Sequence, residues 1–424
     1  MYNAVEEAKA QVKEIIMGAL GRLVGEGKLP AEPLPPFQVT IPADNSHGDF
    51  SANTALVSAK ALKSNPRAVA QMIVEAAVLD GTDFSKIEVA GPGFLNFFIG
   101  GKWFADVVKN AAALGGDYGK TDLGKGKRVL VEFVSANPTG PMHIGNARGG
   151  AIGDSLSSLL QEAGYEVSRE FYINDAGNQV AKFGKSLDLR YLQLCSEAGQ
   201  KVVAECGSDM EKLTKTIYDQ TSTPDENGNI PEEQKDFPFT MPSDVYLGMD
   251  IIEHAKNYYD LHGGRELSAK PEEERRKALV DYALPLNEKR LEEDLLKYRI
   301  KYDNWFKEST LHNNGAVKAV IEKLKEGGHT YEKDGALWLA TSRILGDELR
   351  AAGKSEKDIE KLDLKDDVLR RANGFYTYFA ADIAYHRNKL EVRKFDKAVD
   401  VWGADHHGHV ARLQAALDGL VLGG

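Results

Sequence analysis

The spacing of hydrophobic and polar positions changes along the chain, and each change marks an element. Residues 1–16, MYNAVEEAKAQVKEII, set apolar side chains among Glu and Lys in the amphipathic pattern of a surface helix. Proline-rich turns then flank a short strand from Phe37 to Ile41. One helix is predicted to open near Ser51 and a second at Asn65-Pro66-Arg67, where proline suits a first turn whose N–H groups lack partners anyway. The strand pair KIEVAGPGFLNFFIG closes this stretch as a small α+β unit. After it, AALGGDYGKTDLGKGK is dense in Gly, Lys and Asp and reads as a linker, dividing the chain into residues 1–115 and 116–424.

From Arg128 the period is that of a βαβ unit. The apolar strand RVLVEFVSA leads through a turn to a helix carrying Ala147, Ala151, Leu156, Leu159 and Ala163, and then to the strand EVSREFYI. The second unit is therefore expected to be α/β with a parallel sheet. Residues 176–300 lack strand alternation and read as a largely helical insertion, broken by the polar TSTPDENGNIPEEQKDFP. YDNWFKES, ALWLATS, TYFAADIAYH and AVDVWGADHHGH follow as strand-like segments ending in polar residues, with the polar stretch 342–369 assigned no role.

Composition refines this. A chain of 424 residues exceeds the roughly 250–300 at which one core stops growing, so more than one domain is expected. No apolar run approaches the roughly 18 residues that a membrane span needs, and the first residues lack the parts of an export signal. These features predict a cytoplasmic protein with no membrane partner, expected as a monomer. A net charge of −11 argues against non-specific binding of polyanions without excluding a local basic face. Cys195 and Cys206 fit neither a disulfide framework nor a paired metal motif.

The chemistry concentrates in VEFVSANPTGPMHIGNARGG, residues 131–150. In open α/β sheets ligands bind beyond the carboxyl ends of the strands, where the next helix begins. Gly140-Pro141 lets the backbone approach a ligand there, and Gly145, Ala147 and Gly149-Gly150 keep the helix start clear. His143 then either donates to a phosphate oxygen as charge develops on it, or merely caps the helix. Neither GxxxxGK[ST] nor GxGxxG is present, which removes the support for kinase-like and dehydrogenase readings.

VEFVSANPTGPMHIGNARGGAIGD, followed by FYINDAGNQ, resembles the arginyl-tRNA synthetases of class I. The similarity continues through NWFKES, YEKDGALWLATS, TYFAADIAYHRNK and VDVWGADHHGH. DNSHGDFSANTAL and VAGPGFLNFF resemble the extra domain that precedes the catalytic fold in that family. The resemblance implies a Rossmann-like parallel-sheet catalytic domain with a helical insertion, preceded by a small α+β domain on the tRNA D-arm, where Lys60, Lys63 and Arg67 would meet phosphates. It implies activation of L-arginine with ATP and Mg²⁺, and transfer of the arginyl group to tRNA(Arg).

By the same resemblance His143 and Asn146 are catalytic, Asn146 standing where the family pattern has a second histidine. Pro141, His143, Gly145, Asn146, Gly403, Asp405 and His409 would line ATP. Glu132, Ser135, Asn137, Tyr378, Asp382 and His406 would hold arginine, whose planar, permanent cation is best met by carboxylates. Read alone, Glu132 is equally an outward strand charge, while a surface pairing with Arg387 is the weaker reading of Asp382. His406, His407 and His409 lack the Cys or carboxylate spacing of a closed metal site, so no protein metal site is expected. No KMSKS-type segment precedes Gly424, and no anticodon-binding helical domain follows. The chain is therefore expected to be an N-terminal and partial catalytic piece. Two readings compete: another nucleotidyltransferase of the same superfamily, and a non-catalytic tRNA-binding module.

Overall fold

The computed structural model describes residues 2–422 and resolves two compact units, one running up to Lys125 and including Glu162–Gly164, the other made of Gly126–Gln161 and the described residues from Tyr165 onward. In the first unit, a helix over Ala4–Gly25 starts at Asn3, whose side chain accepts from the N–H groups of Val5 and Glu6. Its apolar stripe, Val12, Ile16, Leu20 and Leu23, packs in one core with the helix Pro66–Ala76 and an antiparallel sheet. The sheet runs in the order Val39–Thr40, Phe50–Ala52, Phe94–Ile99, Phe84–Ala90.

Ser51, where a helix was expected to open, lies in a strand instead. Its hydroxyl donates to Asn96 Oδ1 at 2.8 Å, and Phe50 and Ala52 bury their side chains on the opposite face, so the helix starts only at Thr54. The expected linker is also partly helical, because the helix Gly101–Leu114 runs into it and stops where Gly115 takes a φ of 53°.

The second unit is built on four parallel strands. β1 (Arg128–Phe133) leads to α1 (Ile144–Glu162) and β2 (Glu166–Ile173). After the insertion come β3 (Asn304–Lys307) and β4 (Lys397–Val401), giving the order β4-β1-β2-β3. β1 is central and buried from Val129 to Phe133, which is why its sequence reads as a nearly continuous apolar run. Gly153 lets α1 lie close on that strand: a Cβ there would stand 2.1 Å from the Phe133 ring.

The insertion is helical as expected. It includes α2 (Gly177–Cys195) and α3 (Glu272–Lys297), packed around Phe183, Leu187, Tyr191, Ile252 and Leu279. Within its polar stretch, Thr221–Ser222 and Phe239–Thr240 form a short parallel pair.

One expectation fails outright. TYFAADIAYH is a helix, α4 (Tyr378–Arg387). The Thr377 hydroxyl accepts from the Ala380 N–H at 3.3 Å, and Ala380, Ala381, Ile383 and Ala384 all bury. That grouping follows the helical period and denies the strand one. The unassigned stretch 342–369 also finds a place. It holds most of a helix over Thr341–Ala351, a short helix Glu356–Glu360, and part of a strand, Asp367–Arg370. That strand completes a separate antiparallel sheet with Thr330–Lys333 and Ala336–Leu339. Among the described residues no helix is long and apolar enough to cross a membrane.

Candidate active site

β1 ends in strained backbone. Val134 and Ser135 have φ of 68° and 43°, a left-handed conformation that a β-branched residue seldom adopts and that clusters at functional sites. The turn brings Ser135 Oγ back to donate to Glu132 Oε1 at 2.9 Å and to accept from the Tyr172 N–H of β2 at 3.1 Å. The loop that follows is pinned by α3, whose buried Asn287 donates from Nδ2 to the Pro138 carbonyl at 3.0 Å.

His143 stands exposed just before α1. Its Nδ1 accepts from the Gly145 N–H at 3.1 Å, and Asn146 Oδ1 accepts from the His143 N–H at 3.0 Å. With Nδ1 an acceptor, the neutral ring carries its proton on Nε2 and remains a donor. Gly145 is required for this arrangement, since a Cβ there would lie 2.9 Å from the imidazole. Asn137, Gly140, Pro141, His143 and Asn146 line one cavity of about 590 Å³, closed on its other side by Gln179, Gly248 and Asp250.

A second cavity, also about 590 Å³, is lined by Tyr172, Glu308, Tyr378, Asp382, His406 and His409. The Tyr378 hydroxyl accepts from the Asn178 N–H at 2.9 Å, close against Gly177, whose φ is 79°. Asp382 is held by two imidazoles. His386 Nδ1 lies 3.1 Å from Oδ1, and His409 Nε2 lies 2.5 Å from Oδ2. Behind it the charges continue inward. His386 Nε2 is 2.8 Å from Asp400 Oδ2, Asp400 Oδ1 accepts from Lys389 Nζ at 2.6 Å, and Lys389 Nζ donates to Glu132 Oε2 at 2.6 Å.

Electrostatics follows from this sharing. Burial raises the carboxyl of Glu132, and since it divides one ammonium with Asp400 it is pushed up to about 7. Burial also disfavours ionised Asp400 and Asp382, yet Lys389 and His386 hold Asp400 well below the usual range, and His386 and His409 do the same for Asp382. His386 is opposed by its burial and by Lys389, but its two carboxylate partners win and raise it to about 9.

The residues singled out in the sequence therefore fall in three places. Asn137, Pro141, His143 and Asn146 share the first cavity, with Gly145 beside them, and Tyr378, Asp382, His406 and His409 share the second. His409, expected beside the nucleotide, sits on Asp382. Glu132 and Ser135 lie behind the cavities, bonded to each other, and Glu132 is buried rather than facing outward. Arg387 pairs with Glu391 at 2.8 Å and leaves Asp382 to the histidines. Gly403 is exposed in the turn after β4, its carbonyl accepting from the His406 N–H at 3.1 Å. The side chains of Asp405 and His407 lie outside the described residues. Sequence reasoning missed His386, Lys389 and Asp400. Spaced four and seven residues after Asp382, the first two would have stood out had the segment been read as a helix.

A family model for the N-terminal domain of arginyl-tRNA synthetase matches residues 10–99, and one for the catalytic domain of class I tRNA synthetases (R) matches residues 108–418. The chain is 45% identical over 420 residues to an arginine–tRNA ligase of Caldanaerobacter subterraneus, covering 99% of this chain and 64% of that protein. It is 43% identical to the Acetivibrio thermocellus ligase, covering 98% and 64%. It thus spans about 64% of the length of these relatives. A putative arginyl-tRNA synthetase structure from Campylobacter jejuni aligns with a TM-score of 0.55 at 31% identity, over 74% of this chain and 56% of that one. The Plasmodium falciparum enzyme aligns with a TM-score of 0.53 at 17% identity, over 98% and 63%, and supports the fold alone.

Proposed function

The chain belongs to the class I arginyl-tRNA synthetases, and from that premise we propose that its second unit binds L-arginine and ATP for formation of an arginyl-adenylate destined for tRNA(Arg). The observation that carries this is Asp382: a carboxylate kept ionised inside a cavity, with the Tyr378 hydroxyl on the same wall. A guanidinium is the cation that suits it, being planar, always charged and able to donate two parallel hydrogen bonds. Glu132 and Ser135 support that wall from behind, while His406 and Asn137 are assigned to the rest of the amino acid.

ATP is assigned to the cavity at His143. When the arginine carboxylate attacks the α-phosphate and pyrophosphate leaves, charge grows on the phosphate oxygens. The Nε2 proton of His143 and the start of α1 are placed to stabilise it. Asn146, its oxygen taken by the His143 N–H, offers its Nδ2 as a further donor. Pro141 and Gly145 shape the approach, and Gly403 and Asp405 complete the nucleotide's surroundings on this reading, while His409 stays with Asp382. Among the described residues no three His, Cys, Asp or Glu side chains group as metal ligands, so Mg²⁺ is assigned to the phosphates it accompanies and no step is assigned to it.

The first unit is assigned to the tRNA D-arm, where exposed Lys60, Lys63 and Arg67 would meet phosphates. Arg67 also donates to the Gly91 carbonyl at 2.8 Å, which orients it. The enzyme is taken to work as a cytoplasmic monomer. These 424 residues contain no KMSKS-type lysine, and losing one such transition-state contact costs about 2.7–4 kcal/mol. They are therefore expected to bind arginine yet show little ATP–pyrophosphate exchange, even with tRNA present.

Calorimetric titration with L-arginine tests the reading. Asp382→Asn should lower affinity by at least about tenfold, since a buried charged hydrogen bond is worth about 2 kcal/mol or more. Equal affinity in the variant would remove Asp382 from the proposal.

A further inference from the structure

The line of charges behind the second cavity alternates in sign. Glu132, Asp400 and Asp382 supply three carboxylates, while Lys389 and His386 supply two buried cations in alternation with them. At its outer end the line also receives His409, whose Nε2 lies 2.5 Å from Asp382 Oδ2. That outer end, held by Asp382, opens on the second cavity.

His386 is the hinge of this arrangement. It is 3% exposed, and each ring nitrogen faces an oxygen: Nε2 the carboxylate of Asp400 at 2.8 Å, Nδ1 the Asp382 carboxylate at 3.1 Å and the Asp382 carbonyl at 2.9 Å. An imidazole with acceptors on both sides must donate from both nitrogens, and that form is the cation. The spacing from Asp382 to His386 is one helical turn of α4, and Lys389 lies one turn further on, so a single face carries acid, base and base toward β4 and β1. Other neighbours of the ring are the edges of Tyr385 and Trp402.

We propose that His386 is the positioning residue of the cation pocket: by bridging Asp400 and Asp382 as an imidazolium, it fixes the Asp382 carboxylate that faces the substrate side chain. The inference rests on the arginine reading of the second cavity.

The groups that set the charge of His386 are Asp382 and Lys389 from its own chain segment, Asp400 from β4, Glu132 from β1 through Lys389, and His409 through Asp382. The test uses the 424-residue chain, titrated calorimetrically with L-arginine and with citrulline, its neutral isostere, between pH 6 and 9.5. His386→Gln should weaken arginine by tenfold or more and citrulline hardly at all. Wild type should lose part of its preference for arginine as pH rises through about 9, and the variant's profile should be flatter. Should His386→Gln fail to fold, Asp400→Asn removes the inner anchor of the same ring and should lower the preference in the same direction. Unchanged preference and pH profile in the folded variant would overturn the proposal. Nitrogen-15 NMR of the histidines separates the two readings. A doubly protonated His386 at pH 7.5 upholds the bridge even if arginine fails to bind, which would instead sink the arginine assignment. A singly protonated ring overturns the bridge even if arginine binds.

Discussion

The two cavities of the second unit are of similar size and are built by opposite means. The one at His143 is made of backbone: a loop pinned through the Pro138 carbonyl, a glycine that a Cβ would ruin, and a histidine fixed only by its own neighbours in sequence. The one at Asp382 is made of charge, wired through β4 and β1 into the interior. A mobile, highly charged phosphate chain is well served by N–H groups and a helix start. A small cation with fixed geometry calls for a carboxylate that cannot turn or protonate. The contrast predicts that lesions at the second cavity damage the fold while lesions at the first damage only ligand binding.

The sharpest break should come from Lys389→Met. It strips the shared cation from Glu132 and Asp400, and breaking a buried pair in this way costs about 3–5 kcal/mol. Urea unfolding would measure it, and a loss below about 1 kcal/mol would mean that the charges are not coupled as described. Gly153→Ala should cost less, about 1–3 kcal/mol, by driving a methyl into the Phe133 ring. A smaller, pH-dependent effect should come from His386. Its folded value is raised from 6.5 to about 9, so its contribution is present in full below pH 6.5 and fades as pH rises through 9. Thermal melts of wild type and His386→Gln should therefore converge at the alkaline end. Smallest of all, His143→Ala should change stability by no more than about 0.5 kcal/mol, because the ring is exposed, while ATP binding weakens. A large stability loss there would erase the contrast between the cavities.

Much of this was legible before the structure. The parallel sheet showed in the apolar runs of β1 and β2, and the first cavity in a contiguous motif, because Asn137, Thr139, Gly140, Pro141, His143 and Asn146 line it directly. The second cavity was legible only in its lining, Tyr378 and Asp382. Its support joins residues 132, 386, 389 and 400 across three elements, and α4 was taken for a strand, which hid the helical spacing of Asp382, His386 and Lys389. Alanine and β-branched residues mixed with aromatics give a short segment no decisive period, and the deciding contact is the Thr377 cap, a single hydrogen bond.

A crystal structure of the chain with L-arginine tests the central claim most directly. The account predicts the guanidinium within hydrogen-bond distance of the Asp382 carboxylate, with Tyr378 beside it and the Glu132–Lys389–Asp400–His386 line undisturbed. Arginine bound with its guanidinium at the His143 cavity, or with Lys389 drawn away from Glu132, would contradict it.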